Sequence, residues 1–153
     1  MKLAAPWCGV AEIYALPDGR LAVLCPTAHE VRLIDTKAGQ QIDSVSVSGE
    51  KGAVSPDGSK LWVVTSSGQL QEVDLVRGVI GRTESLPAAG ETCAPCVPLQ
   101  RLHVSADGRT LFVPAAPGAP ELRATGRASV VWMVDTSTLE RSGGGPAARA
   151  GVR

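Results

Sequence analysis

Short apolar runs separated by turn-forming residues recur along the chain. "VSPDGSKLWVV" begins at Val54, "VSADGRTLFVP" begins at Val104, and a looser copy, "ALPDGRLAVL", begins at Ala15. Asp hydrogen-bonds its own backbone and Gly accepts a positive φ, so Asp-Gly before an apolar run is typical of a turn that leads into a strand. The predicted structural turn residues are Asp18, Gly19, Asp57, Gly58, Asp107 and Gly108.

A second element follows each turn at a repeated distance. "EVRLIDTKAGQ", "QLQEVDLVRGV" and "SVVWMVDTSTLE" each contain an apolar strand that ends in Asp, at Asp35, Asp74 and Asp135. The turn Asp and the strand-end Asp are separated by 17 residues in the first two cases and by 28 in the third. The excess falls in "APGAPELRATGR", residues 116–127, and a repeat with its insertion in one connection indicates stacked supersecondary units.

The pattern predicts an all-β chain of about three four-stranded antiparallel sheets, the third incomplete. The units span about residues 10–47, 52–84 and 101–141, and the Gly- and Ala-rich residues 142–153 are expected to form a flexible tail. Predicted strands are Val10–Leu16, Arg20–Cys25, Glu30–Asp35, Gln41–Val47, Gly52–Ser55, Lys60–Thr65, Gln69–Asp74, Val79–Glu84, Arg101–Ser105, Thr110–Val113 and Ala128–Asp135. No segment predicts a helix.

The combination of Ser55-Pro56-Asp57-Gly58 with "LWVV", and of "VRLIDTKAG" with "WMVDTSTLE", resembles YVTN-type β-propeller repeats over about residues 10–141. The broader group includes WD-repeat, lactonase-like and amine-dehydrogenase heavy-chain propellers, and the Trp-Asp and Gly-His signatures of WD repeats are absent. The resemblance implies blades of an open or partial propeller, because closed rings have about 4–8 blades. It does not imply a function.

Three explanations of the open ring remain: a piece of a longer propeller, an open stack, or a homodimer that completes a ring. Apolar rows such as Val31, Leu33, Leu111 and Val113 are expected on the uncovered outer faces of the first and third units, where a partner could bury them.

The composition limits the classes of binding partner and the cellular location that we expect. Lys plus Arg and Asp plus Glu both number 15, which gives no electrostatic reason to expect nucleic acid or an anionic membrane as partner. No apolar run is close in length to the stretch of about 18–20 residues that is needed to span a membrane. Trp7, Cys8 and Glu12 interrupt the N-terminal segment, so the chain is expected to be cytoplasmic as written, or exported if an upstream signal is missing. No cofactor is expected.

"ETCAPCVP" places Cys93 and Cys96 in C-x-x-C spacing. A Pro-rich loop between units, a disulfide in an exported protein, and a metal or redox pair are the three interpretations. A zinc site needs a second ligand pair, and the other Cys and His residues are Cys8, Cys25, His29 and His103. Cys25 lies in a predicted strand and is expected to be a buried core thiol.

The sequence carries no catalytic motif and predicts no catalytic residue and no metal site. His103, on the first strand of the third unit, and Arg123 and Arg127, in its insertion, are weak candidates for contacting a ligand or partner. The favoured function is a non-catalytic scaffold that binds a protein or a small ligand. The alternative is a fragment or subunit of a propeller enzyme of the amine-dehydrogenase heavy-chain or lactonase kind.

Overall fold

The computed structural model describes residues 8–65, 67–86, 97–98, 101–116 and 130–141. The predictions on Cys93, Cys96, Arg123, Arg127 and the tail 142–153 therefore lie outside the described residues. The strands are β1 (Glu12–Ala15), β2 (Arg20–Cys25), β3 (Glu30–Asp35), β4 (Gln40–Ser46), β5 (Lys51–Val54), β6 (Lys60–Val64), β7 (Gln69–Asp74), β8 (Val79–Ser85), β9 (Val97–Pro98), β10 (His103–Val104), β11 (Thr110–Ala116) and β12 (Val130–Asp135).

These strands form three antiparallel sheets, which we call blades. Blade 1 has the order β1-β2-β3-β4 and blade 2 the order β5-β6-β7-β8. In blade 3 the order is β10-β11-β12, and β9 pairs with the end of β11 on the same side as β10. The predicted fold class is confirmed: the described chain is all-β, with its third blade narrower than the other two. Among the described residues, no helix is long and apolar enough to cross a membrane.

Neighbouring blades bury apolar faces against each other. Tyr14, Leu24, Val31 and Leu33 of blade 1 pack on Leu61, Val63, Val73 and Leu75 of blade 2. Trp62, Val64 and Leu70 of blade 2 pack on Leu111, Val113 and Val134 of blade 3. We call the side of a blade that meets the following blade its front face, and the opposite side its back face.

This arrangement corrects one prediction. Val31 and Leu33 belong to the front face of blade 1, and Leu111 and Val113 to the back face of blade 3, so all four are buried between blades and not on the outer faces. The sequence repeats the same alternation in every unit, and alternation alone does not reveal which of the two faces meets a neighbour.

The Asp-Gly turns stack along one rim of the blades. Gly19, Gly58 and Gly108 have φ of 86°, 73° and 73°, the left-handed region that favours glycine. A Cβ built on Gly58 would lie 2.4 Å from Cδ of Pro17, whereas one on Gly108 would lie 3.3 Å from Cδ of Pro56. Pro17 therefore rests on Gly58 of the next blade and Pro56 rests on Gly108, contacts between blades that the sequence did not predict.

The carboxylate of each turn Asp also accepts hydrogen bonds from groups in its own turn. In blade 2, Ser55 Oγ donates to Asp57 Oδ1 at 2.6 Å and the Ser59 amide donates to the same oxygen at 3.0 Å. These bonds, led by the one from Ser55, lower the pKa of Asp57 to about 2.

Replacing Ser55 by Ala should raise the Asp57 pKa toward its ordinary value of 3.8, because the first donor is lost. Asp57 has a lower pKa folded than unfolded, so its contribution to stability is complete above the unfolded value and disappears as the pH falls toward 2. NMR titration of the carboxyl carbons measures the pKa, and urea unfolding at several pH values measures the stability change. The Asp18 pKa, lowered by hydrogen bonds from Arg20, is the internal control and should not move. An unchanged Asp57 pKa in Ser55→Ala would contradict the assignment.

Candidate functional site

The innermost strands of the three blades meet at a cluster of polar side chains. Glu12 of β1 is 7% exposed, and its Oε2 accepts hydrogen bonds from the Tyr14 hydroxyl and, at 2.9 Å, from the Gly52 amide of β5. Arg101, just before β10, places its Nε 3.6 Å from Glu12 Oε1. One carboxylate thus connects all three blades where they converge.

The Arg101 guanidinium can form further contacts besides the one with Glu12. Its guanidinium lies 5.9 Å from the centre of the Tyr14 ring, within cation–π range, and 57% of its side chain is exposed. It lines a shallow pocket of about 250 Å³ together with Tyr14, residues 52–54 and residues 102–104. An arginine at the edge of a pocket presents a fork of N–H donors that fits a carboxylate or phosphate.

His103 lies in this pocket as an exposed side chain at the innermost strand of blade 3. Burial, then the hydrogen bond to Glu12, raises the pKa of the Tyr14 hydroxyl, so Tyr14 stays protonated and acts as a hydrogen-bond donor. The described part of the chain has no group of three or more His, Cys, Asp or Glu residues that could hold a metal ion. The arrangement can bind an anionic group. Its Tyr14 hydroxyl is paired with the Glu12 carboxylate, and the raised Tyr14 pKa opposes formation of a nucleophilic phenolate.

Sequence reasoning selected His103 and missed Glu12, Tyr14 and Arg101. A usable signal existed: Glu12, Lys51 and Arg101 occupy equivalent positions at the innermost strands of the three units, each two residues before a front-face residue. A charged residue is unusual at a position in a strand that packs against a neighbouring blade. The shared charge becomes apparent only when the three units are aligned with one another.

A second polar cluster joins blades 2 and 3. The Glu72 side chain is 8% exposed and accepts from Lys60 at 3.3 Å, Trp62 Nε1 at 3.3 Å and Arg82 at 2.9 Å. Burial raises the Glu72 pKa, but the hydrogen bonds from Arg82 and Lys60 outweigh it and the net shift is downward.

Arg82 also donates to the carbonyl oxygens of Ser137 and Thr136 in blade 3, at 2.7 and 3.1 Å. A pocket of about 370 Å³ lies beside this cluster, lined by Lys60, Trp62 and the two Asp-Gly turns of blades 2 and 3. Because every charge in the Glu72 cluster is engaged in contacts within or between blades, we interpret it as a structural clamp.

The cysteines require a second correction. Cys25 is not a free thiol: it forms a disulfide with Cys8, with Cα atoms 5.2 Å apart, and both residues are buried. The spacing of 17 residues gave no indication of the pairing, because antiparallel β1 and β2 bring the two residues together. Cys93 and Cys96 lie outside the described residues, so their three interpretations stay open.

Comparison with solved structures agrees with this geometry. Kuenenia stuttgartiensis hydrazine synthase superposes with a TM-score of 0.65 at 22% identity, over 88% of this chain and 35% of that one. The fold is a partial β-propeller. Apo AztD from Citrobacter koseri gives a TM-score of 0.64 at 13% identity, over 94% and 36% of the two chains. The dihydro-heme d1 dehydrogenase NirN, in complex with DHE, gives 0.59 at 15%, over 89% and 27%.

These identities show the fold alone. The partial propeller spans about a third of the length of the first two structures and less of the third. No protein-family model matches the sequence, and no curated protein matches it. The YVTN-type assignment therefore stays a prediction.

Proposed function

We propose that the protein is a non-catalytic propeller module that binds an anionic group of a protein or small ligand at the convergence of its three inner strands. The observation that carries this proposal is Arg101: its guanidinium is half-exposed in a pocket shared by all three blades, beside His103 and above the Tyr14 ring. Glu12 holds the Nε side at 3.6 Å and positions the group. The two terminal nitrogens of the fork would then meet the ligand.

Titration of the full chain with acetate and with inorganic phosphate tests the anion site. Amide and imidazole NMR signals of Tyr14, Arg101 and His103 should shift together, and Arg101→Gln should weaken the shifts at least tenfold. Arg77→Gln is the matched control, because Arg77 is 80% exposed in a turn of blade 2 and does not line the pocket. Equal responses in the two variants, or no shift at millimolar anion, would refute the site.

The alternative is that the chain is a part or subunit of a propeller enzyme. It is supported by the fold of a hydrazine synthase and of a dehydrogenase, and by the share of those chains that this one spans. The pocket chemistry favours binding instead: Arg101 offers a cation, and the Tyr14 hydroxyl, although paired with Glu12, has a raised pKa that opposes a nucleophilic phenolate.

The Cys8–Cys25 disulfide indicates the type of compartment in which the protein resides. Structural disulfides persist in oxidising compartments and are rare in the cytosol. The Cys8–Cys25 bond therefore supports the exported alternative over the cytoplasmic one. Non-reducing peptide mapping of protein purified from its native host tests this location. Free thiols at both cysteines would favour the cytoplasmic alternative instead.

A further inference from the structure

The front faces of the three blades carry residues at equivalent register positions, and in the described part of the chain the first two of these faces pack against the following blade. In the first two blades the equivalent positions are all buried: Tyr14, Ala22, Leu24, Val31 and Leu33, then Ala53, Trp62, Val64, Leu70 and Glu72. In blade 3 they are His103, Phe112, Pro114, Val131 and Met133. Val131 is 56% exposed and Met133 is 44% exposed. At these two positions blade 3 exposes apolar side chains to solvent, whereas the equivalent residues of blades 1 and 2 are buried.

The back face of blade 1 is the complementary surface. The back-face rows are Leu61, Val63 and Val73 in blade 2, Leu111, Val113 and Val134 in blade 3, and Leu21, Val23 and Ile34 in blade 1. No blade precedes blade 1 in the described chain, yet Val23 and Ile34 are 6% and 3% exposed. Cys8 packs with them and with Cys25 in one apolar cluster. Cys8 therefore occupies part of the surface on which a preceding blade would pack.

The disulfide holds Cys8 in that place. Cys25 lies on the same back face, and the Cys8–Cys25 bond ties the segment before β1 across it. The next backbone contact along the chain is the Ala11 amide, which donates to the Leu24 carbonyl at 3.0 Å. Opening the disulfide would release residues 8–10 from the back face, while β1 keeps its own pairing with β2.

We propose that the Cys8–Cys25 disulfide controls assembly of this chain with a second copy. When the bond is open, the back face of blade 1 receives the front face of blade 3 from the partner. The contact resembles the two interfaces already present within the chain, in which a Leu and Val row packs against the front face of the preceding blade. A two-fold dimer forms this interface twice and gives six blades, within the range of about 4–8 for closed rings.

The switching step is a thiol–disulfide exchange. A dithiol reductant attacks one sulfur as the thiolate and forms a mixed disulfide, and its second thiol then displaces the protein sulfur. The reductant leaves as its own disulfide, and two electrons and two protons remain on Cys8 and Cys25 as thiols. Oxidation re-forms the disulfide and returns Cys8 to the back face of blade 1.

Size-exclusion chromatography with light scattering on the full chain tests the proposal. The oxidised protein should have the 15.8 kDa mass of one chain, and the protein in dithiothreitol or as Cys8→Ser should have twice that mass. Adding Met133→Glu to Cys8→Ser should restore the monomer. Adding Val76→Glu should not, because Val76 is 73% exposed in a turn of blade 2, outside both faces.

The remaining outcomes each overturn the proposal. A folded Cys8→Ser chain that stays monomeric shows that the two faces do not pair, and a dimer already present in the oxidised chain shows that the disulfide controls nothing. A dimer that survives Met133→Glu uses another surface. Loss of the β signal in circular dichroism both on reduction and in Cys8→Ser shows that the disulfide is required for folding, which also excludes a switch.

Discussion

Replacing Trp62 by Ala should lower the free energy of unfolding by about 3–5 kcal/mol, the usual cost of removing a buried aromatic ring. Trp62 is 2% exposed and lies in the core between blades 2 and 3. Its indole N–H also donates to Glu72 at 3.3 Å, inside the clamp that reaches blade 3 through Arg82. The substitution removes ring packing and a hydrogen bond from the same interface, so urea denaturation followed by far-ultraviolet circular dichroism should show a large loss.

Trp62→Phe is the matched variant. Phe112 occupies the equivalent position in blade 3, so a phenyl ring suits the strand, while the donor to Glu72 is lost. The expected cost is about 1–2 kcal/mol, mostly from the unmade hydrogen bond to a charged acceptor. A Trp62→Ala chain within about 1 kcal/mol of the parent, or costs of equal size for the Ala and Phe variants, would contradict the packing described for this interface.

Replacing Gly58 by Ala should cost about 2–4 kcal/mol, through backbone strain at positive φ and through overpacking against the neighbouring blade. The added Cβ would lie 2.4 Å from Pro17 Cδ, and a proline ring cannot rotate away as a flexible side chain can. The blades must separate at this rim to admit the methyl group. Thermal and urea unfolding of the variant measure the loss.

Gly19 and Gly108 separate the two causes. Gly19 has φ of 86°, but no atom lies within 4 Å of the position that a Cβ would take, so Gly19→Ala should show strain alone, about 1–2 kcal/mol. Gly108→Ala should fall between the two, because its Cβ would lie 3.3 Å from Pro56 Cδ. Equal costs at all three positions would show that the turns do not stack between blades.

Much of each blade follows from local sequence. The Asp-Gly turns, the strand-end Asp residues and the short β-branched runs specify hairpins, because turn chemistry and strand propensity act over a few residues. Strands β2 to β8 have predicted ends that agree with the structure to within one residue. Blade 3 was predicted less completely: its long connection falls largely outside the described residues, and its inner strand is divided into β9 and β10.

The candidate site was harder to predict than the strands. His103 was selected because it is a histidine on an inner strand, whereas Arg101 appears as an ordinary surface charge in the sequence. Its importance comes from Glu12, 89 positions earlier in the chain, and from the Tyr14 ring beneath it. Contacts at such a separation depend on how three sheets converge, and no local pattern encodes the convergence.

The sequence alone determined that this is a repeated all-β chain, where its turns lie, and that successive strands pair with each other. Turn and strand preferences are properties of neighbouring residues, so they can be read without the fold. Only the tertiary structure decided which face of each blade meets the next, that Cys8 pairs with Cys25, and that Glu12, Tyr14 and Arg101 form one cluster. Both faces of a blade carry apolar alternation, so the choice between them is made by packing between sheets, which depends on side chains far apart in the chain.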